Sequence, residues 1–264
     1  MTDKPDDPNA VDCYDYPQYW DLAFRDETEG EADFIEAAAE KYCDFPVTRL
    51  LEPGCGGGRL VFEMARRGYD ASGFDLTQSA TDYLLSRLED HGLTANVFNA
   101  DMTDYVHQPP VDIAFNTVNT FRHLLTEEAA RQHLKSIAAS LRPGGLYIVG
   151  LHLLPPDADE EDSESWDAVD GDTVVHTTLE VQTFDRRSRL ETILFKLRAE
   201  TPNENVELQT VYTLRIYQAF QLQELLESVP EFEHVDTFDF WYDITDPLEL
   251  NDDLGDTVVV LRRR

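Results

Sequence analysis

The chain has 264 residues, 42% of them apolar, which suffices for a sizeable core, and its 53 acidic against 21 basic residues give a formal charge of −32. A surface that acidic repels phosphate backbones, so DNA and RNA are excluded as expected partners. There is no apolar run long enough to span a bilayer and no charged-then-apolar opening segment, so neither a membrane association nor an export signal is expected.

Lysine is scarce, with only Lys4, Lys41, Lys135 and Lys196, a balance similar to that of proteins from saline cytoplasm. Cys13, Cys43 and Cys55 are odd in number and widely spaced, without a C-x-x-C pair. That pattern argues against a disulfide framework and structural zinc, and for a reducing cytoplasm.

In chain order, Met1 to Asn9 reads as a loose polar tail, followed by aromatics at Tyr14, Tyr16, Tyr19, Trp20 and Phe24 and a helical pattern over Asp33–Lys41. Strands are then predicted near Thr48–Glu52, Ala71–Asp75, Ala95–Asn99, Asp112–Asn116 and Leu146–His152, with helices near Arg59–Arg67, Thr77–His91 and Thr126–Leu141. Alternating strands and helices of this kind build a parallel sheet covered on both faces. Pro143-Gly144-Gly145 predicts a turn before the fifth strand.

After Pro155-Pro156 the acidic stretch Asp157 to Asp167 reads as an exposed loop. Three β-rich runs follow, Thr173–Phe184, Leu190–Glu200 and Val206–Ile216, joined by hairpin-length links. They predict a three-stranded antiparallel sheet inserted after strand five. A helix at Gln218–Ser228 and strands Glu233–Phe240 and Thr257–Leu261 complete a seven-stranded main sheet. The expected division is therefore a tail or lid over 1–30, a main α/β domain over 31–156 and 218–264, and an insert over 157–217.

The segment with most chemistry is Leu51-Glu52-Pro53-Gly54-Cys55-Gly56-Gly57-Gly58-Arg59. An apolar strand runs into an acid, then into glycines that allow close ligand approach, then into a helix start with unpaired N–H groups. A dinucleotide fingerprint would need a third glycine where Arg59 stands, so the pattern is Glu-x-Gly-x-Gly-x-Gly instead. Asp75 closes the second strand, placed to accept hydrogen bonds from two ribose hydroxyls. Asp101 closes the third, placed to accept from an adenine amino group while Met102 packs on the ring.

With its order and spacing, the stretch from Val47 to Val149 resembles the class I S-adenosylmethionine-dependent methyltransferases. The likeness runs through Leu51 to Gly58, Gly73-Phe74-Asp75-Leu76, Asn99-Ala100-Asp101-Met102, Val111 to Asn116 and Leu141-Arg142-Pro143-Gly144-Gly145-Leu146. The resemblance implies a Rossmann-like doubly wound fold and S-adenosylmethionine as cofactor. It implies that Gly54, Gly56 and Gly58, with Cys55 as a small packing residue, shape the pocket for the methionine and ribose portions. Glu52 would order the loop and attract the ammonium end, and Arg59 would reach a carboxylate. Asp75 would bind the ribose with Leu76 against the adenine, Asp101 and Met102 would read the ring's far side, and Asn116 would face the methionine portion. Tyr19 would serve as a lid.

His123 after strand four and His152 after strand five are the candidate bases, because imidazole titrates near neutrality. Trp166, Tyr212 and Tyr217 are candidates for lining an acceptor pocket from the insert, which in small-molecule members of the family covers the acceptor and supports dimerisation. No metal is expected, because Asp112 lies too early in strand four to share a cluster with Asp101 and Asn116. The expected activity is methyl transfer to oxygen or nitrogen of a small molecule. A catalytically silent cofactor-binding module and a methyltransferase for basic peptides are the alternatives.

Overall fold

A computed structural model describes residues 13–156, 158 and 163–264. The expected tail over Met1 to Asn9 lies outside the described residues. The chain begins with α1 (Pro17–Ala23) and α2 (Thr28–Tyr42). The second of these is longer than Asp33–Lys41, because Ala32, Phe34, Ile35 and Ala38 bury one apolar face while the first turn is acidic.

Next come β1 (Arg49–Pro53), α3 (Arg59–Arg66), β2 (Asp70–Asp75), α4 (Gln78–Asp90), β3 (Asn96–Asn99), β4 (Val111–Asn116), α5 (Glu127–Ser140) and β5 (Leu141–His152). After an intervening antiparallel segment, α6 (Ala219–Glu227), then two strands, Phe232–Phe238 and Asp256–Arg263, close the chain. Thr126 caps α5 by accepting from the Ala129 N–H, and Gln218 with Gln221 forms a capping box on α6.

The main sheet is seven-stranded. From one edge to the other it runs β3, β2, β1, β4, β5, then the last strand of the chain and the strand before it. The first five are parallel and the last two antiparallel. Adjacent residues of each strand point to opposite faces. Leu50, Ile113, Phe115 and Ile148 pack beneath α2, α3 and α4, while Leu51, Ala114, Tyr147 and Val149 pack beneath α5 and α6. The strand order reverses direction between β1 and β4, and in such sheets ligands bind at the carboxyl ends around that switch.

The antiparallel segment differs from expectation in strand number. It has four strands, β6 (Ser163–Asp170), β7 (Thr173–Asp185), β8 (Leu190–Glu200) and β9 (Asn205–Arg215), in sequence order. The two strands at the chain's end are accordingly β10 (Phe232–Phe238) and β11 (Asp256–Arg263). The stretch read as an exposed acidic loop thus supplies, from Ser163 onward, an edge strand paired with β7 from Ser163↔Glu180 to Asp170↔Thr173. Its acids sit on exposed positions, while Ala168 is buried and the Trp166 indole donates to the Ala23 carbonyl at 2.8 Å. One face of this sheet packs on α1 through Leu22, Ala23, Val175, Phe195, Leu197 and Leu208.

The Pro143-Gly144-Gly145 turn is a bulged opening of β5 rather than a break. Gly144 takes a left-handed φ of +83°, and the β4–β5 register shifts between Val111 and Ile113.

Candidate functional site

The glycine loop leaves β1 with three left-handed residues, Gly54 (φ +63°), Gly56 (φ +52°) and Gly58 (φ +69°). Two of them have distinct jobs. A Cβ on Gly58 would overlap the Leu84 side chain of α4, so that glycine lets loop and helix close together. A Cβ on Gly56 would meet nothing within 4 Å, so this backbone faces open space at the strand ends. Cys55 is buried against Gly73 and its thiol is pushed well up by burial, as expected of a packing residue.

Asp75 stands opposite the loop. Its Oδ2 accepts from Gly56 N–H at 2.9 Å and its Oδ1 from Thr77 N–H at 2.8 Å. One bond to each oxygen leaves a free lone pair on both, which is the arrangement a vicinal diol can bridge. Leu76 beside it is 73% exposed. Asp101 Oδ1 accepts from the Thr103 N–H at 2.8 Å and from its hydroxyl at 2.7 Å. The Met102 sulfur lies 3.7 Å from the point where a Cβ on Gly54 would stand, so the loop after β3 reaches across to the glycine loop.

Glu52 is buried with Oε2 unpartnered, and burial pushes its carboxyl up to about 8 despite the nearby Arg59 guanidinium. An acid in that state is a receptor for a cation. Arg59 forms an ion pair with the fully buried Glu31 at 2.5 Å and donates to Thr28 Oγ1 at 3.2 Å. Its guanidinium is thus already committed to α2, and a direct contact with a ligand carboxylate would need that pair to open.

Asn116, at the end of β4, donates through Nδ2 to the Pro53 carbonyl and accepts at Oδ1 from the Tyr147 hydroxyl at 2.8 Å. Its side chain is spent beneath the cleft floor, leaving only its backbone to face a ligand. Asp112 lies at the opposite end of the sheet, where Oδ2 accepts from the Thr48 and Arg49 N–H groups at 2.8 and 2.9 Å.

His123 follows β4 in a short 3-10 turn, Thr120–His123, with its ring 5.5 Å from that of Tyr212 on β9. The ring is reached by solvent yet flanked closely by protein, as on a cleft wall. This enclosure, with the Arg122 charge next door, lowers it to about 4, and Asp75 on the cofactor side opposes the shift. His152 pairs instead with Asp256 at 2.8 Å and meets the Phe240 ring at 5.2 Å. The hydrogen bond from His152 depresses the Asp256 carboxyl.

Tyr19 is not at the glycine loop. It stacks on Tyr16 at 6.1 Å and packs in the cluster beneath the four-stranded sheet, with Glu204 close enough to raise its phenol further after burial. In the same segment Tyr14 lies nearer the strand ends, its carbonyl accepting from Ser79 Oγ at the start of α4 at 3.2 Å. Trp166 belongs to the α1 contact, and Tyr217 is fully buried, so of the three candidate lining residues only Tyr212 meets a candidate base.

Several residues at these strand ends carry little sequence signal. Thr120 closes over Gly54, its Cγ2 2.8 Å from an added Cβ. Asn119 takes a left-handed φ of +54° and its Oδ1 accepts from the His152 N–H at 2.9 Å. Arg122, 3% exposed, pairs with Glu191 of β8 and donates to the Arg215 carbonyl of β9 at 2.9 Å. Only the left-handed Asn119 had a detectable hint, since asparagine tolerates that conformation.

Residues 50–145 match the family model described as a methyltransferase domain. Over those residues the chain is similar to methyltransferase domains, and its fold is that of S-adenosylmethionine-dependent methyltransferases. The ubiquinone biosynthesis O-methyltransferase of Rickettsia felis is 21% identical over 115 residues, 44% of this chain and 46% of that protein. The chain spans about half the length of the curated relatives it matches. Among solved structures, an S-adenosylmethionine-dependent methyltransferase from Clostridium acetobutylicum superposes with a TM-score of 0.77 at 14% identity, covering 96% of this chain and 99% of that one. The sugar N-methyltransferase KedS8 from Streptoalloteichus sp. superposes with a TM-score of 0.70 at 15% identity, covering 100% and 98%. At such identities these likenesses speak for the fold, including the four-stranded addition.

Proposed function

We propose that the methyltransferase domain transfers a methyl group from S-adenosylmethionine to the nitrogen of a small amine-bearing acceptor. The residues present suit that cofactor. Asp75 offers two free lone pairs for the ribose hydroxyls, Leu76 a bare face for the adenine, and Asp101 with Met102 the ring's far edge. Gly54, Gly56 and Gly58 open the space for the methionine portion, and Glu52 receives its ammonium. When bound, the sulfonium supplies an already electrophilic methyl group. The chain's own residues must then orient the nucleophile and exclude water, which is where most of the rate arises.

The choice of nitrogen is supported by the setting of His123, flanked by protein on the turn after β4 and next to the buried Arg122 guanidinium, both of which disfavour its protonated form. A group that protonates at about 4 is poor at drawing a proton from an alcohol, while a neutral amine already has its lone pair free. In the reaction an N–C bond forms as the methyl C–S bond breaks, with the electron pair going to sulfur. The methylated ammonium would then lose its proton to water. The printed name of the R. felis relative favours oxygen and that of KedS8 favours nitrogen, so the names alone do not decide.

The four-stranded sheet stands beside His123 through Tyr212 and would cover the acceptor. Its edge strand β6 also suits pairing with a second copy, because an open edge invites another strand. The odd number and wide spacing of Cys13, Cys43 and Cys55 do not suit a disulfide framework, which favours a cytoplasmic setting. No helix among the described residues is long and apolar enough to cross a membrane.

The deciding experiment is release of S-adenosylhomocysteine from purified protein offered matched pairs of small acceptors, amino sugars against their hydroxy analogues. Turnover confined to the amines supports the proposal, and turnover of the hydroxy members overturns the nitrogen assignment. Cofactor binding without turnover on a broad panel points to a silent module, and preference for basic peptides to a protein methyltransferase.

A further inference from the structure

Two histidine–aspartate pairs stand directly across antiparallel strands, alike in chemistry and different in surroundings. His176 of β7 faces Asp167 of β6, with Nδ1 2.7 Å from Oδ1, and its Nε2 meets Glu200 at 3.8 Å. That ring has a carboxylate at each nitrogen, on the face of the four-stranded sheet turned away from α1. His152 of β5 faces Asp256 of β11, with Nδ1 2.8 Å from Oδ1 and its side chain 36% exposed. The hydrogen bond from His152 holds the Asp256 carboxyl down, so near neutral pH it is ionised and can only accept. The ring hydrogen therefore sits on Nδ1, and Nε2 keeps the lone pair of a base.

Place in the fold separates the two pairs. The His152 N–H donates to Asn119 Oδ1 at 2.9 Å, and the Asn119 N–H donates to the Gly150 carbonyl at 2.9 Å. The next residue, Thr120, closes over Gly54 at the head of the glycine loop. His152 thus stands beside the turn that borders the methionine end of the cleft. On its other side, β10 runs parallel to β5, so the loop after Phe238 leaves the sheet at the same end as the cleft. In that loop the Phe240 ring lies 5.2 Å from that of His152 at an interplanar angle of 70°, and Tyr242 donates to the Thr117 carbonyl at 3.1 Å. Asp256, and Glu27 just before α2 within electrostatic reach, bring negative charge to the ring, while Asn119 and Phe240 bring none.

We propose that His152 is the base that frees the nitrogen of the acceptor before methyl transfer, with Asp256 as its positioning residue. The inference rests on reading the acceptor as an amine. Amino groups titrate roughly between 8 and 10, so near pH 7 such an acceptor arrives mostly as an ammonium, which has no lone pair to attack a methyl group. The carboxylates of Asp256 and Glu27 draw that cation toward the ring. One N–H bond of the ammonium breaks, its electron pair stays on the acceptor nitrogen, and the proton passes to Nε2, where Asp256 offsets the imidazolium charge. The freed lone pair then takes the methyl group, and His152 returns its proton to water once the product leaves.

The test follows kcat/KM for the amino sugar that the unaltered protein turns over fastest, from neutral pH up to that sugar's own ammonium range. It compares the full chain with His152→Gln, Asp256→Asn and His176→Gln. The unaltered protein can use the ammonium form, so its kcat/KM should stay level over this range. His152→Gln must wait for the neutral amine, so it should start about 10²-fold lower or more and climb about tenfold per pH unit, closing the gap near the acceptor's own titration. Asp256→Asn should show the same slope with a smaller loss, about tenfold at neutral pH. His176→Gln, which removes the matching pair far from the cleft, should change neither level nor slope. S-adenosylhomocysteine affinity should stay within about twofold in all three variants. A pair that merely ties β5 to β11 would lower the melting temperature and leave the shape of the pH profile as it was. That result, read in Asp256→Asn should the histidine variant not fold, overturns the base, as does a tenfold climb per pH unit in the unaltered protein. Turnover of hydroxy sugars alone, or of neither class, would instead overturn the amine reading and this role with it.

Discussion

The cleft has two halves built on different principles. On the cofactor side, the ends of β1, β2 and β3 are shaped mostly by backbone: three left-handed glycines and an aspartate that accepts from loop N–H groups. On the acceptor side, the ends of β4 and β5 are held by side chains whose partners lie far along the chain, as Arg122 is by Glu191 and Arg215, and His152 by Asp256. Backbone shape tolerates little change in residue type, whereas ion pairs between distant elements are easily rewired. A common cofactor with a variable acceptor fits that division of labour.

The sharpest way to break the comparison is to cut the acceptor half at Arg122. Its guanidinium is buried with Glu191, and removing one partner strands the other charge. Arg122→Ala should cost about 3–5 kcal/mol of stability, read as a lowered denaturation midpoint. The folded fraction should still bind S-adenosylhomocysteine with near-normal affinity. Loss of cofactor affinity in that fraction would mean that the halves are not separable.

Gly58→Ala attacks the other half. The new Cβ would need a left-handed backbone and would overlap Leu84, so strain and overpacking together should cost about 2–4 kcal/mol. Here stability and cofactor affinity should fall together, since the same loop serves both. A variant that melts normally would show that the loop can re-form without this close approach.

Asp75→Ala removes no core contact, and its effect should appear in binding. Losing charge-assisted hydrogen bonds to the ribose should weaken S-adenosylhomocysteine by about 1.5–3 kcal/mol in calorimetry, with acceptor KM unchanged. Unchanged affinity would take Asp75 out of the site.

The same division explains what the sequence revealed. Gly54, Gly56, Gly58, Asp75 and Asp101 could be placed at strand ends because each lies within a few residues of an apolar run that announces the strand. The doubly wound sheet was legible for the same reason. Strand β6 was hidden because an edge strand with one polar face, carrying Ser163, Ser165 and Asp167 outward, has the composition of a solvated loop. Tyr19 was misplaced because an aromatic cluster does not say which sheet it packs on. Arg122 looked like an ordinary turn residue, since its partners Glu191 and Arg215 lie 69 and 93 positions away and only the folded chain joins them.

The smallest expected effect concerns a single proton on Glu52. Burial holds its carboxyl up at about 8, well above its unfolded range, so near pH 7 the folded protein keeps a proton that the unfolded chain has lost. The sign follows: this group lowers stability progressively as pH rises from its unfolded value to about 8, and adds no further change above that. A cation seated against it favours the ionised form, so cofactor binding below about pH 8 must expel the proton. Affinity should then climb with pH up to that point and flatten beyond it. Calorimetry at pH 7 in buffers of different ionisation heat should detect release of up to about one proton per site, and Glu52→Gln should abolish both the release and the slope. Proton release that persists in the glutamine variant would assign the titration to another group and leave Glu52 as a loop-ordering residue only.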